Sequence, residues 1–424
     1  MKQNNMVTLV GALVVGGVIG YFVGQGNKEI VEVEKIVEVE KIVEVEKIVE
    51  VPMENISMGI ILGFTGPIES LTPAMAASAE AAFEEASKSG ALLGGRSIDV
   101  VRADSTCIDA AAASAAAERL ITSDNVAAIM GADCSGVTTA IANNVAVPNG
   151  VVMVSPSATS PALTTINDKG YFFRTAPSDA RQGEVLASVL MDRGIKDVAV
   201  TYTNNDYGKG FADAFNAAFA AKGGSVSVTA AHEDGKADYS AEVAALSAGG
   251  SDVLVVLGYI DQGGRGIIQS SLDADAFSNF AVGDGMIGQA LIDNINGDIT
   301  GLIGTLPGSD SDGAAKFASM LGATAEGPYT GESYDAAALI VLAAQAGGNA
   351  DRATIQKNLM SVANAPGTQI MPGELGKALK ILADGGQVDY QGATNVELTD
   401  VGEAAGSYKE LEVKNGKFET IRIR

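Results

Sequence analysis

The sequence is poor in the side chains on which most enzymes and metal sites depend. Its 424 residues contain one histidine, two cysteines and no tryptophan. A lone histidine leaves little scope for a histidine-based metal site or a Ser-His-Asp relay, in which several side chains act together. Two cysteines can form one disulfide, but they exclude a disulfide-rich scaffold and a four-cysteine zinc site. Neither a metal nor a cofactor is therefore predicted.

Basic residues are also scarce. The chain has 28 Lys and Arg against 52 Asp and Glu, a formal net charge of −24 at pH 7. Nucleic-acid binding depends largely on basic side chains that contact phosphates, so this balance argues against a nucleic-acid partner. By contrast, 47% of the residues are hydrophobic, which excludes disorder of the whole chain and predicts two or three folded domains.

An uncharged apolar segment, residues 7–24, lies close to the N-terminus. As a helix, its eighteen residues would span about 27 Å, close to the ~30 Å hydrocarbon core of a bilayer. We therefore expect residues 1–27 to be an uncleaved membrane anchor. Lys2 on one side and acidic residues on the other predict a cytoplasmic N-terminus and an extracytoplasmic (periplasmic or cell-surface) location for the bulk of the chain. The alternative is a cleaved signal peptide, whose apolar region is usually shorter and which the poor cleavage site at 24–26 does not favour.

A hexad repeat, IVEVEK, follows the anchor within residues 28–54. Three copies fill residues 30–47, and a fourth begins before Pro52 ends it. A period of six cannot keep an apolar stripe on one face of a helix, which a heptad coiled coil requires. The alternating valines favour a strand, and a lone strand is not stable in water. Two interpretations remain open, a parallel homo-oligomeric stalk and a solvated, extended spacer.

From residue 56 onward, short apolar runs alternate with Ala-rich helical stretches. This alternation predicts βαβ units and parallel sheets, and its restart after Pro177 predicts two sheets and hence two lobes. The predicted strands are 58–63, 97–102, 126–130, 150–154, 198–202, 225–229 and 252–257, and the predicted helices are 73–88, 110–121, 137–145, 210–222 and 239–246.

The loops after these strands carry a recognisable pattern. They read GFTGP at 63–67, MGADCS at 130–135, SPSATSPAL at 155–163, NDYGKG at 205–210 and GY at 258–259. Taken in this order, residues 56–424 resemble the type I periplasmic binding proteins, and most of all the leucine/isoleucine/valine-binding receptors of ABC importers. The resemblance implies an α/β fold with two Rossmann-like parallel sheets, a hinge of three crossovers and a ligand between the lobes.

The resemblance also implies lobe boundaries and site residues. We expect lobe 1 at 55–176 plus 305–375 and lobe 2 at 177–304 plus 376–424. In the family, a Ser at the start of a helix holds the ligand carboxylate, the SPxAT loop grips carboxylate and ammonium, two tyrosines close over the ligand and an acidic residue pairs with its ammonium. The matching ligand-binding residues are Ser135, Ser157, Thr159, Tyr207, Tyr259 and Asp284. Helix caps and turn residues remain the alternative reading for Ser135, Thr159 and Asp284.

Four further residues are predicted to lie in or beside the ligand pocket. Leu71 stands where the leucine-type receptors offer a Tyr to the side-chain pocket, which leaves side-chain selectivity open. Tyr329 is predicted to line the pocket or to pack in the core. Cys107 and Cys134 each follow a strand, and this pair is bridged in the family, so a Cys107–Cys134 disulfide is expected in an oxidising compartment.

These observations predict a substrate-binding protein that captures a small amino acid and delivers it to an ABC permease. The alternatives are a ligand-sensing ectodomain that works through a partner, and an oligomeric surface protein with a vestigial binding fold. An enzyme is not expected, because His232 has no second histidine and the sequence has neither a GxSxG elbow nor a phosphate-binding GxxxxGK[ST] loop.

Overall fold

The computed structural model describes residues 53–424. The predicted anchor and nearly all of the predicted stalk lie outside the described residues. Residues 54–424 form one compact unit. Within 53–424, no helix is both long enough and apolar enough to cross a bilayer.

The first lobe is built on a five-stranded parallel sheet. Its strands are β1 (Ile56–Leu62), β2 (Ile98–Asp104), β3 (Ala128–Gly131), β4 (Val152–Ser155) and β5 (Phe172–Arg174), in the order β2-β1-β3-β4-β5. Helices α1 (Thr72–Lys88), α2 (Ala110–Thr122) and α3 (Ser135–Ile141) connect the first four strands. The central strands β1, β3 and β4 are mostly apolar and almost entirely buried because both faces of a parallel sheet are covered.

The second lobe is built on a seven-stranded sheet. It begins with α4 (Asp179–Asp192), β6 (Asp197–Thr203), α5 (Asp206–Ala221), β7 (Ser225–His232), α6 (Ser240–Ser247), β8 (Val253–Leu257), α7 (Gly263–Asp273), β9 (Asn279–Val282), α8 (Gln289–Asn294) and β10 (Ile303–Pro307). These strands are parallel. The sheet order is β14-β13-β10-β9-β8-β6-β7, with an antiparallel pair at one edge. Asn415 and Gly416, both with positive φ, form the tight turn of that edge hairpin.

Between β10 and the edge hairpin, the chain returns to the first lobe. This segment holds α9 (Asp312–Leu321), α10 (Thr330–Gly347), α11 (Arg352–Ala363), β11 (Thr368–Ile370), α12 (Leu375–Ala383) and β12 (Val388–Tyr390). It is followed by β13 (Tyr408–Lys414) and β14 (Lys417–Ile423). Helix α10 packs on α1, α11 and α12.

The lobe boundaries therefore differ from the expected ones. We expected residues 376–424 in lobe 2, but α12 packs on α1 and α10, and β12 pairs with β11. The apolar face of α12, with Leu375 and Leu379 fully buried, has its partners in the first lobe. Only the chain from β13 onward joins the second sheet. The expected break at 304/305 also falls inside β10, which stays paired with β13 through Pro307.

Three connections between the lobes run side by side. The first passes through Thr175 and Pro177, the second through Gly308 and the third through Gly406. The Gly308 N–H donates to the Ser407 carbonyl at 3.0 Å, and the Ala404 N–H donates to the Arg174 carbonyl at 3.0 Å. At Gly406, φ is +55° and an added Cβ would lie 2.7 Å from the Pro177 ring. Such a set of adjacent connections is the usual structure of a hinge.

The predicted elements agree with the structure in type and differ at their ends. Helix α5 begins at Asp206 rather than 210, because Asn205 caps it by accepting the Gly208 N–H at 3.1 Å. Strand β7 continues to His232 instead of ending at 229. Helix α3 begins at Ser135, two residues earlier than expected.

Candidate ligand-binding site

The candidate site lies where the carboxyl ends of the strands of both sheets meet. This is the edge at which open parallel sheets bind ligands. The two lobes are in direct contact here. The Asp261 N–H of the second lobe donates to the Pro67 carbonyl at 3.0 Å, and the Ser70 N–H donates to Asp261 Oδ2 at 2.8 Å.

The first wall is organised by a buried carboxylate that the sequence reading did not single out. Asp133 accepts hydrogen bonds from the Gly63 N–H (2.5 Å), the Ser105 hydroxyl (2.9 Å) and the Cys134 N–H (2.9 Å). Asp133 thereby joins the loops after β1, β2 and β3. Burial raises the pKa of its carboxyl group, while these hydrogen bonds act in the opposite direction. A carboxylate two positions before Ser135 is the signal that would have identified it.

The expected disulfide is confirmed in the same place. Cys107 and Cys134 are bonded, and both side chains are buried. The bond connects the loop after β2 to the residue before Ser135. Ser135 itself is 1% exposed and opens α3, and its hydroxyl accepts the Ser160 N–H at 3.1 Å.

The SPSAT loop is held from behind by an arginine that the sequence reading also missed. Arg174, 1% exposed, donates to the carbonyls of Ala158 (3.0 Å) and Ser160 (2.9 Å) and pairs with Glu403 at 2.5 Å. The Ser157 hydroxyl donates to the Asp133 carbonyl at 3.2 Å. Thr159, in the same loop, is fully buried.

The opposite wall brings four of the predicted residues together. Asp284 follows β9 and is 2% exposed. The Tyr207 hydroxyl donates to Asp284 Oδ1 at 3.0 Å, and the Tyr329 hydroxyl donates to Asp284 Oδ2 at 2.5 Å. The rings of Tyr207 and Tyr259 stack with centroids 5.2 Å apart. Tyr329 belongs to the first lobe, so its bond to Asp284 crosses between the lobes.

Burial controls the protonation of this wall. It raises the pKa of Tyr207, Tyr259 and Tyr329 well above the usual phenol value, and the Asp284 charge adds to this effect at Tyr207 and Tyr329. The phenols therefore stay protonated and act as donors. Burial also raises the pKa of Asp284, while the hydrogen bonds from Tyr329 and Tyr207 act in the opposite direction.

Leu71, the remaining predicted position, lies where the two lobes approach each other. Leu71 is half-buried and faces the second lobe, where a Cβ added at Gly288 would lie 3.1 Å from Leu71 Cδ2 and 2.8 Å from Ile260 Cδ1. An apolar side chain in this position suits an apolar contact across the cleft.

His232 is buried in the second lobe, where a Cβ added at Gly258 would lie 2.9 Å from its Nε2. Its Nδ1 is 2.8 Å from the Thr201 hydroxyl, and burial lowers the pKa of the ring to about 4. In the described part of the chain, no group of three or more His, Cys, Asp or Glu side chains is arranged to hold a metal ion.

Comparisons with known proteins agree with this fold. The family model of the periplasmic binding proteins matches residues 55–387. A chemotactic signal transduction substrate-binding protein of Halobacterium salinarum is 26% identical over 378 residues, 87% of this chain and 89% of the relative. A Leu/Ile/Val-binding protein homologue of Brucella melitensis is 36% identical over 215 residues, 50% of this chain and 56% of the relative. The Streptococcus pneumoniae branched-chain amino acid receptor, solved with isoleucine, has a TM-score of 0.70 at 22% identity and covers 87% of this chain and 99% of its own.

Proposed function

Because the chain belongs to the periplasmic binding proteins of the leucine/isoleucine/valine-binding kind, we propose that it captures a small amino acid between its lobes and delivers it to an ABC transporter. The ligand is a branched-chain amino acid or a related one. Binding occurs outside the cytoplasm, and the chain is held at the membrane by residues 1–27. The stalk at 28–54 spaces the receptor from the membrane or joins copies of it.

The observation that carries this proposal is the chemical difference between the two walls. One wall offers the hydroxyls of Ser135, Ser157 and Thr159 beside backbone groups of the SPSAT loop. The other offers the Asp284 carboxylate, with Tyr207 and Tyr259 beside it. An α-amino acid has a carboxylate at one end and an ammonium at the other, so it is complementary to donors on one side and a carboxylate on the other.

The contacts between the walls support binding by lobe closure. Tyr329 and Asp284, and likewise Ser70 and Asp261, are hydrogen-bonded pairs in which each lobe supplies one residue. A ligand that touches both walls adds further contacts of this kind only when the lobes are together, and so it shifts the hinge toward closure.

A second candidate function is ligand sensing through a partner protein. The Halobacterium relative, which aligns over most of this chain, carries a name that assigns it to chemotactic signal transduction. The binding chemistry would be the same in both cases, and the difference would lie in the protein that recognises the closed form.

Thermal unfolding of the ligand-stripped protein with a panel of amino acids, amides and small polyols tests the proposal. A ligand at 100 times its dissociation constant is expected to stabilise the native state by about 2.7 kcal/mol. Asp284→Ala is expected to abolish the shift. The matched control is Asp252→Ala, an exposed aspartate at the opposite end of the same sheet, which should leave the shift unchanged. No shift with any amino acid would refute the proposal.

A further inference from the structure

A buried carboxyl group of the first lobe lies at the hinge. Glu332 is in the first turn of α10, and its side chain is only 5% exposed. It lines a small cavity whose walls include residues of all three connections between the lobes, among them Pro177, Gly308 and Ser407. The Thr175 hydroxyl of the first connection donates to the Glu332 carbonyl at 2.8 Å. Rotation of the lobes about these connections therefore changes the surroundings of this side chain.

The charge that favours ionisation of Glu332 comes from the other lobe. Among the described residues that line the cavity, only Glu332 has an ionisable side chain. Two charged groups act on it from nearby: Asp335, on the same helix, raises its pKa, and Lys409, on β13 of the second lobe, lowers it. Lys409 lies against the second connection, since a Cβ added at Gly308 would be 2.7 Å from its Cε. The balance of charge around Glu332 therefore depends on how the lobes are placed.

Burial and the local charges act on Glu332 in opposite directions. Burial has the largest effect and raises the pKa of its carboxyl group from 4.5 to about 8. The backbone N–H of Glu332 and the charge of Lys409 favour the ionised form. The first turn of a helix also stabilises a negative charge, because the backbone dipoles of the helix point their positive ends toward it. Access of water to the cavity would remove the opposing effect of burial and leave the ionised form favoured.

We propose that Glu332 makes the hinge sensitive to pH, with its carboxyl group neutral while the lobes are together and ionised when they move apart and water enters the cavity. Closure of the lobes then takes up one proton. A conformation that takes up a proton is favoured as the pH falls, so the closed form gains stability relative to the open form on lowering the pH. This regulation of the hinge goes beyond the proposed function, on which only the affinity measurement below rests.

Calorimetry with leucine at pH 7 and pH 9 tests the effect on ligand binding. Glutamine resembles the protonated form of glutamate and cannot ionise, so Glu332→Gln is expected to bind leucine at least about tenfold more tightly than the native protein at pH 7. Because the pKa of Glu332 is about 8 in the closed form, this advantage should widen about tenfold by pH 9. The matched control is Glu326→Gln, an exposed glutamate shortly before α10, which should behave as the native protein at both pH values. A gain in affinity cannot result from a variant that fails to fold.

Distances between spin labels test the same hinge without a ligand. The labels are attached to Glu118→Cys on α2 and Lys222→Cys after α5, two exposed positions in the first and second lobes. In the ligand-free protein the share of the closed form should fall from pH 6 to pH 9. In Glu332→Gln the closed share should be larger and should change less over the same interval.

The two measurements separate the inference from the proposed function. A Glu332→Gln protein whose leucine affinity and label distances follow pH as in the native protein overturns the inference and leaves the proposed function intact. A native protein that binds no amino acid of the panel refutes the proposed function, and the label distances then decide the inference. Label distances of the native protein that do not change between pH 6 and pH 9 overturn it.

Discussion

Removing the Cys107–Cys134 disulfide should lower the free energy of unfolding by about 3.5 kcal/mol. The bond joins residues separated by 27 positions in the sequence. In the chain-entropy treatment, opening a loop of that size returns about 12 cal/mol/K of entropy to the unfolded chain. At roughly 2.1 cal/mol/K of unfolding entropy per residue, the unit of residues 54–424 should then melt about 4–5 °C lower.

Three forms of the protein isolate the effect of the bond. These are the oxidised protein, the same protein reduced with a thiol, and the double variant Cys107→Ala and Cys134→Ala. Because both cysteines are buried, the alanine variant also loses packing, and the reduced protein retains that packing. Urea unfolding, followed by far-UV circular dichroism, gives the free energy and its dependence on denaturant for each form.

Loss of the disulfide should also change the urea dependence of the free energy of unfolding. If the bond acts on the unfolded chain, the reduced form unfolds to a more expanded ensemble, and its slope against urea should increase. A reduced protein within about 1 kcal/mol of the oxidised one, with an unchanged slope, would refute the entropic account. Ligand affinity is expected to weaken as well, because Cys134 directly precedes Ser135.

Two further predictions concern buried ionisable side chains. His232 has its pKa lowered to about 4 by burial, against 6.5 when unfolded. The unfolded state therefore takes up a proton first, and the native protein should lose about 3 kcal/mol as the pH falls from 6.5 to 4. Between pH 6.5 and 4, the His232→Gln variant should lose less free energy of unfolding than the native protein, by this amount, as measured by urea unfolding. An equal loss in the two proteins would contradict this prediction. Glu403→Gln leaves the buried Arg174 charge without its carboxylate partner and should lower the free energy of unfolding by about 3 kcal/mol in the same assay. Adding Arg174→Met to Glu403→Gln removes the unpaired charge and should restore part of that stability. A Glu403→Gln protein of native stability would contradict this expectation.

Much of this protein could be predicted from local pattern. Short apolar runs that alternate with Ala-rich stretches indicated the parallel strands of the two sheets, since a strand buried on both faces is mostly apolar. The rule that ligands bind at the carboxyl ends of parallel strands directed attention to the loops after these strands, and the family resemblance then singled out Tyr207, Tyr259 and Asp284 in them, an assignment that stays a prediction. The pairing of the two cysteines followed from the family resemblance. Each of these inferences depends either on residues that are close in sequence or on sequence motifs shared with the family.

Other features depend on contacts between distant segments, which no local pattern contains. Helix α12 belongs to the first lobe because it packs on α1 and α10. Its amphipathic sequence by itself is compatible with either lobe. By sequence, Arg174 at the end of β5 and Asp133 after β3 are ordinary polar residues. The fold surrounds Arg174 with loop carbonyls and Asp133 with backbone N–H groups.

The sequence by itself determined the alternation of elements, the two-lobed α/β class and the residue types available at the strand ends. The tertiary structure alone decided which of those residues share one buried space. Asp284 and Tyr329 belong to different lobes, and the hydrogen bond between them results from the approach of the two lobes. Hydrogen bonding and burial act over a few ångströms in space whatever the separation along the chain, so the buried contacts of Asp284 with Tyr207 and Tyr329 could be recognised only after folding had brought these residues together.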